Sequence, residues 1–233
     1  MDDITKLMQN FPQYATFFEE HKEELSQILS DIATDNYFPK DILKMFRFCN
    51  VKEVRCVLVG MEPYASFRAK DNMIIPAATG RSFEVAFVDD WQSKYKQASL
   101  RNIYKSLYFL KTGNIKTMEE IRHSDFALLP PHQWFDTMEK EGVMFLNASL
   151  SVRANETGSH MALWDNFMTQ MVRFISQQYP HAKWILAGAD AQKRFEDILP
   201  KENIIACSHP RLSKFVKECP FKETSVQWVK EVI

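Results

Sequence analysis

Four short, almost uninterrupted apolar runs constrain this chain more than any other feature of its sequence. They are VRCVLVG (54–60), VMFLNA (143–148), KWILAG (183–188) and NIIACS (203–208). Such runs lack the alternation of a half-exposed strand and are short for helices, so they read as strands covered on both faces. Helical periodicity fills the intervals, at SLRNIYKSLYFLK (99–111), HMALWDNFMTQMVRFISQQY (160–179) and DAQKRFEDIL (190–199). It also runs through Phe17, Phe18, Leu25, Ile28, Leu29 and Ile32, so the first fifty residues read as helix. Asp41 is placed to cap a short helix through Met45 and Phe46, and the closing SVQWVKEVI reads as helical too. Strands alternating with helices predict an α/β fold: a single three-layer α/β/α domain over residues 1–233, with a central, mainly parallel four-stranded sheet. A chain of 233 residues can bury a core of this kind without disulfides or a metal.

Charge and glycine spacing remove several function classes. With 29 Lys+Arg against 30 Asp+Glu the formal charge is -1, which excludes a uniformly basic nucleic-acid coat but leaves room for a local basic groove. The six glycines, at 60, 80, 113, 142, 158 and 188, are too scattered for GxGxxG. No GxxxxGK[ST] is present either, so the dinucleotide and P-loop phosphate cradles are excluded. Four cysteines at 49, 56, 207 and 219 form no CxxC pair, and reduced thiols in a cytoplasmic protein are the expectation. The start, MDDITKLMQNF, has neither the basic nor the apolar region of a signal peptide, and no run approaches the roughly 18 apolar residues of a membrane span.

Open parallel sheets bind ligands beyond the carboxyl ends of their strands. Beyond the four predicted strands lie Met61-Glu62-Pro63-Tyr64-Ala65, Asn147, Ala189-Asp190, and Ser208-His209-Pro210-Arg211-Leu212-Ser213. Glu62 is either a general base facing developing positive charge or a solvated turn residue. Asn147 is either a carboxamide reading a nucleobase edge or an Asx turn ending its strand. His209 is either a donor to an oxygen gaining charge or an exposed loop imidazole. Asp190 reads as the N-cap of the helix that follows. Phe83 can stack on a planar ligand or pack in the core, and Tyr64 can be a turn residue or a pocket wall. A serine hydrolase using Ser159, His160 and Glu62 is disfavoured, because no GxSxG elbow exists and Ser159 sits where a helix N-cap is expected. Lys94, Lys96 and Arg101, then Arg211, Lys214 and Lys217, form two basic clusters that suit phosphates or simply a solvated face.

Taken in order, these segments resemble the first, best-known family of uracil-DNA glycosylases. GMEPYA (60–65) resembles the family's water-activating loop GQDPYH, and Phe83 in GRSFEV stands where that family stacks a Phe on the flipped uracil. SLRNIYKSL from Ser99 is similar to SLxNIYKEL, and FLNASLSVRANETGSH (145–160) to LLNTxLTVRxxxxxSH. SHPRLS (208–213) resembles HPSPLS, and CPFKETSVQWV (219–229) is similar to CxHFSKTNxYL. The likeness spans about residues 54–230. The chain departs from the pattern at Glu62 for Asp, Met61 for Gln, Ala65 for His, Gly158 for a His, SKYKQAS in place of a proline-rich loop, and a leucine loop one residue shorter.

The resemblance implies hydrolysis of the N-glycosidic bond of deoxyuridine in DNA after base flipping, without metal or organic cofactor. On it, Glu62 and His209 are catalytic, and Met61, Tyr64, Phe83 and Asn147 bind the base. Ser99, Lys94, Lys96, Ser208, Arg211, Leu212 and Ser213 contact DNA, with Leu212 as the wedge that fills the vacated stack. The implied partners are uracil-containing DNA, single- or double-stranded, and a proteinaceous DNA-mimic inhibitor. A monomer with no membrane association is expected. The rival reading is a catalytically weak or silent relative that serves as a DNA-binding accessory protein.

Overall fold

The computed structural model describes residues 9, 12–44, 53–71 and 73–230. The expected helix through Met45 and Phe46, Cys49 and the last three residues of SVQWVKEVI lie outside the described residues.

The N-terminal helical pattern is realised as two helices, α1 (Ala15–Glu20) and α2 (Lys22–Ala33), which break at His21. The His21 ring stacks on Phe17 at 4.3 Å. The next segment is not helical. β1 (Tyr37–Phe38) pairs antiparallel with β6 (Val152–Arg153), which ties the N-terminal part to a loop beside the site described below.

The four apolar runs become β2 (Cys56–Gly60), β5 (Val143–Asn147), β7 (Lys183–Ala187) and β8 (Ile204–Cys207), a parallel sheet in the order β5-β2-β7-β8. Side chains alternate between faces. Val57, Val59, Met144, Leu146, Trp184 and Leu186 join one hydrophobic cluster, whereas Cys56, Leu58, Val143, Phe145, Ile185 and Ala187 join another. α1, α2 and α6 (Asp165–Gln178) cover the first face, and α3 (Ala98–Thr112) and α5 (Pro131–Lys140) cover the second. Each fully buried aliphatic side chain contributes about 1.5–3 kcal/mol, so two such layers explain why the strand sequences are nearly continuous apolar runs.

Local signals set the ends of the remaining elements. Thr117 and Glu120 form a reciprocal capping box at α4 (Met118–Arg122), and Pro131 opens α5. The pattern at 160–179 becomes a helix only from Asp165, after a run of turns in which His160 and Trp164 are fully buried. The pattern at 190–199 becomes α7 (Ala189–Phe195), and α8 (Lys214–Glu218) follows the leucine loop. An antiparallel hairpin, β3 (Phe67–Lys70) with β4 (Met73–Pro76), stands out beside the loop after β2. The described part of SVQWVKEVI is irregular, not helical. Val226 and Trp228 point inward with an exposed Gln227 between them, and Trp134 donates to the Trp228 carbonyl at 2.8 Å.

Candidate functional site

Register brings Gly60 opposite Asn147 and Ala187 opposite Cys207, so the loops leaving all four strands open at one edge of the sheet. β2 is central, with later strands added on both sides of it, and this is where a doubly wound sheet leaves a crevice. A cavity of about 270 Å³ lies there, lined by Glu62, Tyr64, Phe83, Asn147 and His209 among others. That volume falls just under the roughly 300–1,000 Å³ of ordinary ligand pockets and suits a single planar ring.

Two glycines make the close approach possible. A Cβ on Gly60 would lie 2.6 Å from the Asn147 carboxamide oxygen, so any larger residue at this strand end displaces Asn147. Gly188, at φ 103, turns the chain out of β7, and a Cβ there would come within 3.0 Å of His209 Cβ. Gly188 also occupies the N-cap position of α7, and Asp190 makes no side-chain cap. The expected capping role of Asp190 is therefore replaced by a place in the cavity wall.

Asn147 is 2% exposed, and no side-chain hydrogen bond to its carboxamide is seen among the described residues. Its polar atoms are not sealed off from the cavity they line, so a ligand there can pair with both the carbonyl and the amide. Glu62 accepts a 2.7 Å hydrogen bond from the Gly158 N–H through Oε2. Burial raises its carboxyl above the usual carboxylate range, opposed by that N–H and by the nearby His160. At His209, Nδ1 accepts the Arg211 backbone N–H at 3.1 Å. The neutral ring therefore carries its proton on Nε2 as a donor. Burial, then the Arg211 charge, lowers its pKa, against a smaller pull from Asp190, which keeps the ring neutral.

Phe83 sits edge-on to His209, with centroids 6.2 Å apart, and holds a backbone φ of 65°. A left-handed conformation costs a residue of this kind about 1–3 kcal/mol and persists only where its surroundings over-determine it. They do so here. Ser82 donates to the Leu58 carbonyl at 3.0 Å, and its N–H reaches the Phe145 carbonyl. Arg81, 3% exposed, is held in a two-bond fork by Glu139 at 2.8 and 2.6 Å and also bonds Glu84 and Asp136. Burial raises the Glu139 carboxyl, and the Arg81 guanidinium pulls it back down.

The other sequence candidates fall into three places. Met61, Ser99 and Arg211 line the same cavity as Glu62 and His209, with Ser99 close to the inward-turned Tyr64 hydroxyl. Burial raises the Tyr64 phenol well above its ordinary value, so it stays neutral. Ser208 and Leu212 line a neighbouring cavity of about 550 Å³, and Leu212 is 50% exposed at its mouth. Ser208 gives both its N–H and its hydroxyl to Glu218, so a phosphate contact there must displace a carboxylate. Ser213 is exposed at the start of α8. Lys94 and Lys96 stand apart from both, in a groove of about 520 Å³. Of their cluster, Arg101 is occupied with the Tyr95 carbonyl, and in the second cluster Lys214 is paired with Glu218.

Ser159 caps no helix: its hydroxyl accepts the Arg153 N–H at 2.8 Å, and the neighbouring His160 pairs with other residues. His160 is instead the centre of a buried relay. Trp164 donates to the Ser151 hydroxyl, which pairs with His160 Nδ1 at 2.8 Å, and His160 Nε2 meets Asp35 at 3.0 Å. Asp35 also binds Arg153 at 3.0 Å, and these bonds lower its carboxyl pKa, the Arg153 bond most. This relay fixes the 153–160 loop that presents Gly158 to Glu62. Sequence reasoning missed Arg81, Gly158 and Asp35 as parts of the site. The position of Arg81 inside GRSFEV and the replacement of a family His by Gly158 were the only hints. Among the described residues no three His, Cys, Asp or Glu side chains gather where they could hold a metal ion.

The fold and the cavity define an α/β protein with a strand-end cavity of the size of one planar ring, flanked by a carboxylate, an amide and a neutral imidazole. The chain belongs to the uracil DNA glycosylase superfamily, whose model matches residues 46–230. A uracil-DNA glycosylase of Salmonella arizonae is 27% identical over 173 residues, which are 73% of this chain and 64% of the relative. The chain thus matches less than two thirds of the length of the curated relatives it resembles. A uracil-DNA glycosylase structure from Nitratifractor salsuginis covers the whole of both chains at 18% identity and a TM-score of 0.72. A mimivirus structure in complex with UGI covers 85% of this chain and 69% of its own at 22% identity and a TM-score of 0.67. These likenesses establish the fold.

Proposed function

We propose that this chain hydrolyses the N-glycosidic bond of deoxyuridine in DNA, releasing uracil and leaving an abasic site. The convergence of Glu62, Asn147 and His209 on one small cavity beside Phe83 carries the reading. A base within a duplex is out of reach, so the nucleotide must be extruded at a cost of a few kcal/mol. Leu212, half exposed on its loop, would fill the gap in the stack. Phe83 stacks on the ring, and Asn147 reads its Watson–Crick edge and rejects cytosine, whose donor and acceptor are reversed. Tyr64 walls off the space a thymine methyl would need.

Bond cleavage leaves an oxocarbenium-like sugar and a uracil anion. His209 donates from Nε2 to the anion's O2, and an oriented donor of this kind is worth about 3 kcal/mol. Glu62 orients the attacking water and offsets the sugar's positive charge. Its extra methylene over Asp adds about 1.5 Å of reach, and the Gly158 N–H anchors that longer side chain. Residues 1–233 are read as one domain, a reading supported by α1 and α2 packing into the same cluster as the sheet. We extend to this chain the DNA-mimic inhibitor as a partner. A cytoplasmic setting is supported by Cys56, Cys207 and Cys219 being free and buried. Among the described residues no helix is long and apolar enough to cross a membrane.

The test is uracil release from a labelled oligonucleotide by the wild type and by His209→Ala. Release that falls on the order of 100-fold in the variant supports the reading, from the loss of one oriented donor. Tight binding of a uracil-bearing duplex without release favours the silent, DNA-binding rival.

A further inference from the structure

The hairpin β3–β4 has no part in the chemistry above, yet its surroundings carry a consistent pattern. Pro63 and Tyr64 line both the central cavity and a second one that runs outward along the 62–66 loop. Ser66 lines that second cavity and also the 520 Å³ groove between β3 and the 94–97 segment. The three cavities therefore succeed one another along the 62–68 segment, from the reaction centre to the hairpin. Three cations, Arg68, Lys94 and Lys96, line the groove, and no carboxylate lines it among the described residues. All three are exposed. The Arg68 guanidinium carbon lies 3.8 Å from the centroid of the Phe87 ring, a cation–π contact that holds the charge in place at the groove. Phe67 and Phe87 supply aromatic surface between the charges.

We propose that the hairpin extends the DNA contacts already expected of Lys94 and Lys96: Arg68, with the Phe67 and Phe87 rings, holds the strand flanking the extruded nucleotide through a further phosphate and one stacked base. Cations interleaved with aromatic rings along an open groove suit a single strand, because every phosphate offers charge and every base a π-face. The hairpin then lengthens the DNA footprint beyond the reaction cavity. The proposal rests on the glycosylase reading for the strand's origin, but its salt titration does not.

The probe is a uracil-free single-stranded oligonucleotide, long enough to cross the groove, titrated by fluorescence anisotropy over a salt series. Each phosphate-bound cation contributes about 0.7 to the slope of log K against log salt on single strands. Arg68→Ala should lower the slope by about that much, and the Arg68→Ala/Lys94→Ala/Lys96→Ala variant by about 2. Arg68→Glu should weaken binding further than Arg68→Ala, while Arg68→Lys restores most of the slope. A slope unchanged in the triple variant overturns the proposal. In uracil release, Arg68→Ala should raise KM on the long oligonucleotide with kcat unchanged, and alter neither value on a substrate confined to the reaction cavity. Equal losses on both substrates would also overturn it, since that pattern means damage to the reaction centre. A wild type that releases no uracil while the salt slope responds to Arg68 defeats the glycosylase reading and leaves the groove standing.

Discussion

Replacing Glu62 by Gln removes a charge and almost nothing else, because the amide oxygen can still accept the Gly158 N–H that holds the carboxylate at 2.7 Å. A carboxylate ~4 Å from a positive sugar carbon in an effective dielectric of 20 is worth ~4 kcal/mol. Glu62 is half-buried, and solvent screening trims this to ~3 kcal/mol, on the order of 100-fold in rate. Single-turnover release of uracil should therefore fall by that factor in Glu62→Gln while DNA affinity holds. The pH profile adds a second reading. The proposed mechanism needs Glu62 ionised, and burial raises its pKa, so the wild-type rate should fall on acidification from a higher pH than an exposed glutamate would allow. That limb should vanish in Glu62→Gln, leaving the one that belongs to His209, whose lowered pKa places it below the usual imidazole range. Folding has the opposite sign. A raised carboxyl pKa favours the fold below the unfolded value, a contribution lost as pH rises through the folded one, so Glu62→Gln should gain thermal stability at neutral pH relative to acid. Equal rates in the two proteins, or an acid limb that survives the substitution unchanged, would refute the role of Glu62.

Three further outcomes follow from the same geometry. Glu62→Asp draws the carboxylate back by about 1.5 Å and out of reach of Gly158; a misplacement near 1 Å costs roughly 100-fold, so restoring the family's residue should slow uracil release here rather than speed it. Arg81→Met leaves Glu84 and Glu139 buried without their guanidinium, which costs about 3–5 kcal/mol and should lower Tm by roughly 10 °C in a melt followed by circular dichroism. The folded pKa of Asp35 is depressed by Arg153 and His160, so its contribution is present above the ordinary carboxylate value and lost as pH falls through the lowered one. The Tm difference between wild type and Asp35→Asn should therefore close on acidification, and a difference independent of pH would contradict the relay.

The sheet was legible because each strand is buried on both faces, and the sequence VLVG or FLN permits little else. The strand-end residues were legible for the same reason: a Glu, an Asn and a His directly after such runs must lie at one edge. The hairpin was not. Phe67–Lys70 and Met73–Pro76 are largely solvent-facing, with Met73 62% and Ile74 52% exposed, so no buried stripe marks them. SVQWVKEVI misled because Val226 and Trp228 are two apart, an alternation that suits an extended chain, while the valines and Trp228 also fit a helical stripe. Asp190 misled because an acidic residue near a helix start resembles a cap, whereas Gly188 takes that position to let His209 come close. Arg81 and Asp35 act through partners 58 and 125 residues away, Glu139 and His160, and such pairings leave no local trace in one sequence.

The most direct measurement is base release by the unmodified protein from oligonucleotides that carry a single deoxyuridine, thymidine or deoxycytidine at the same position. Free uracil and an alkali-labile abasic site from the first, with neither thymine nor cytosine from the others, is the predicted result. Intact deoxyuridine after prolonged incubation with DNA that is demonstrably bound would contradict it.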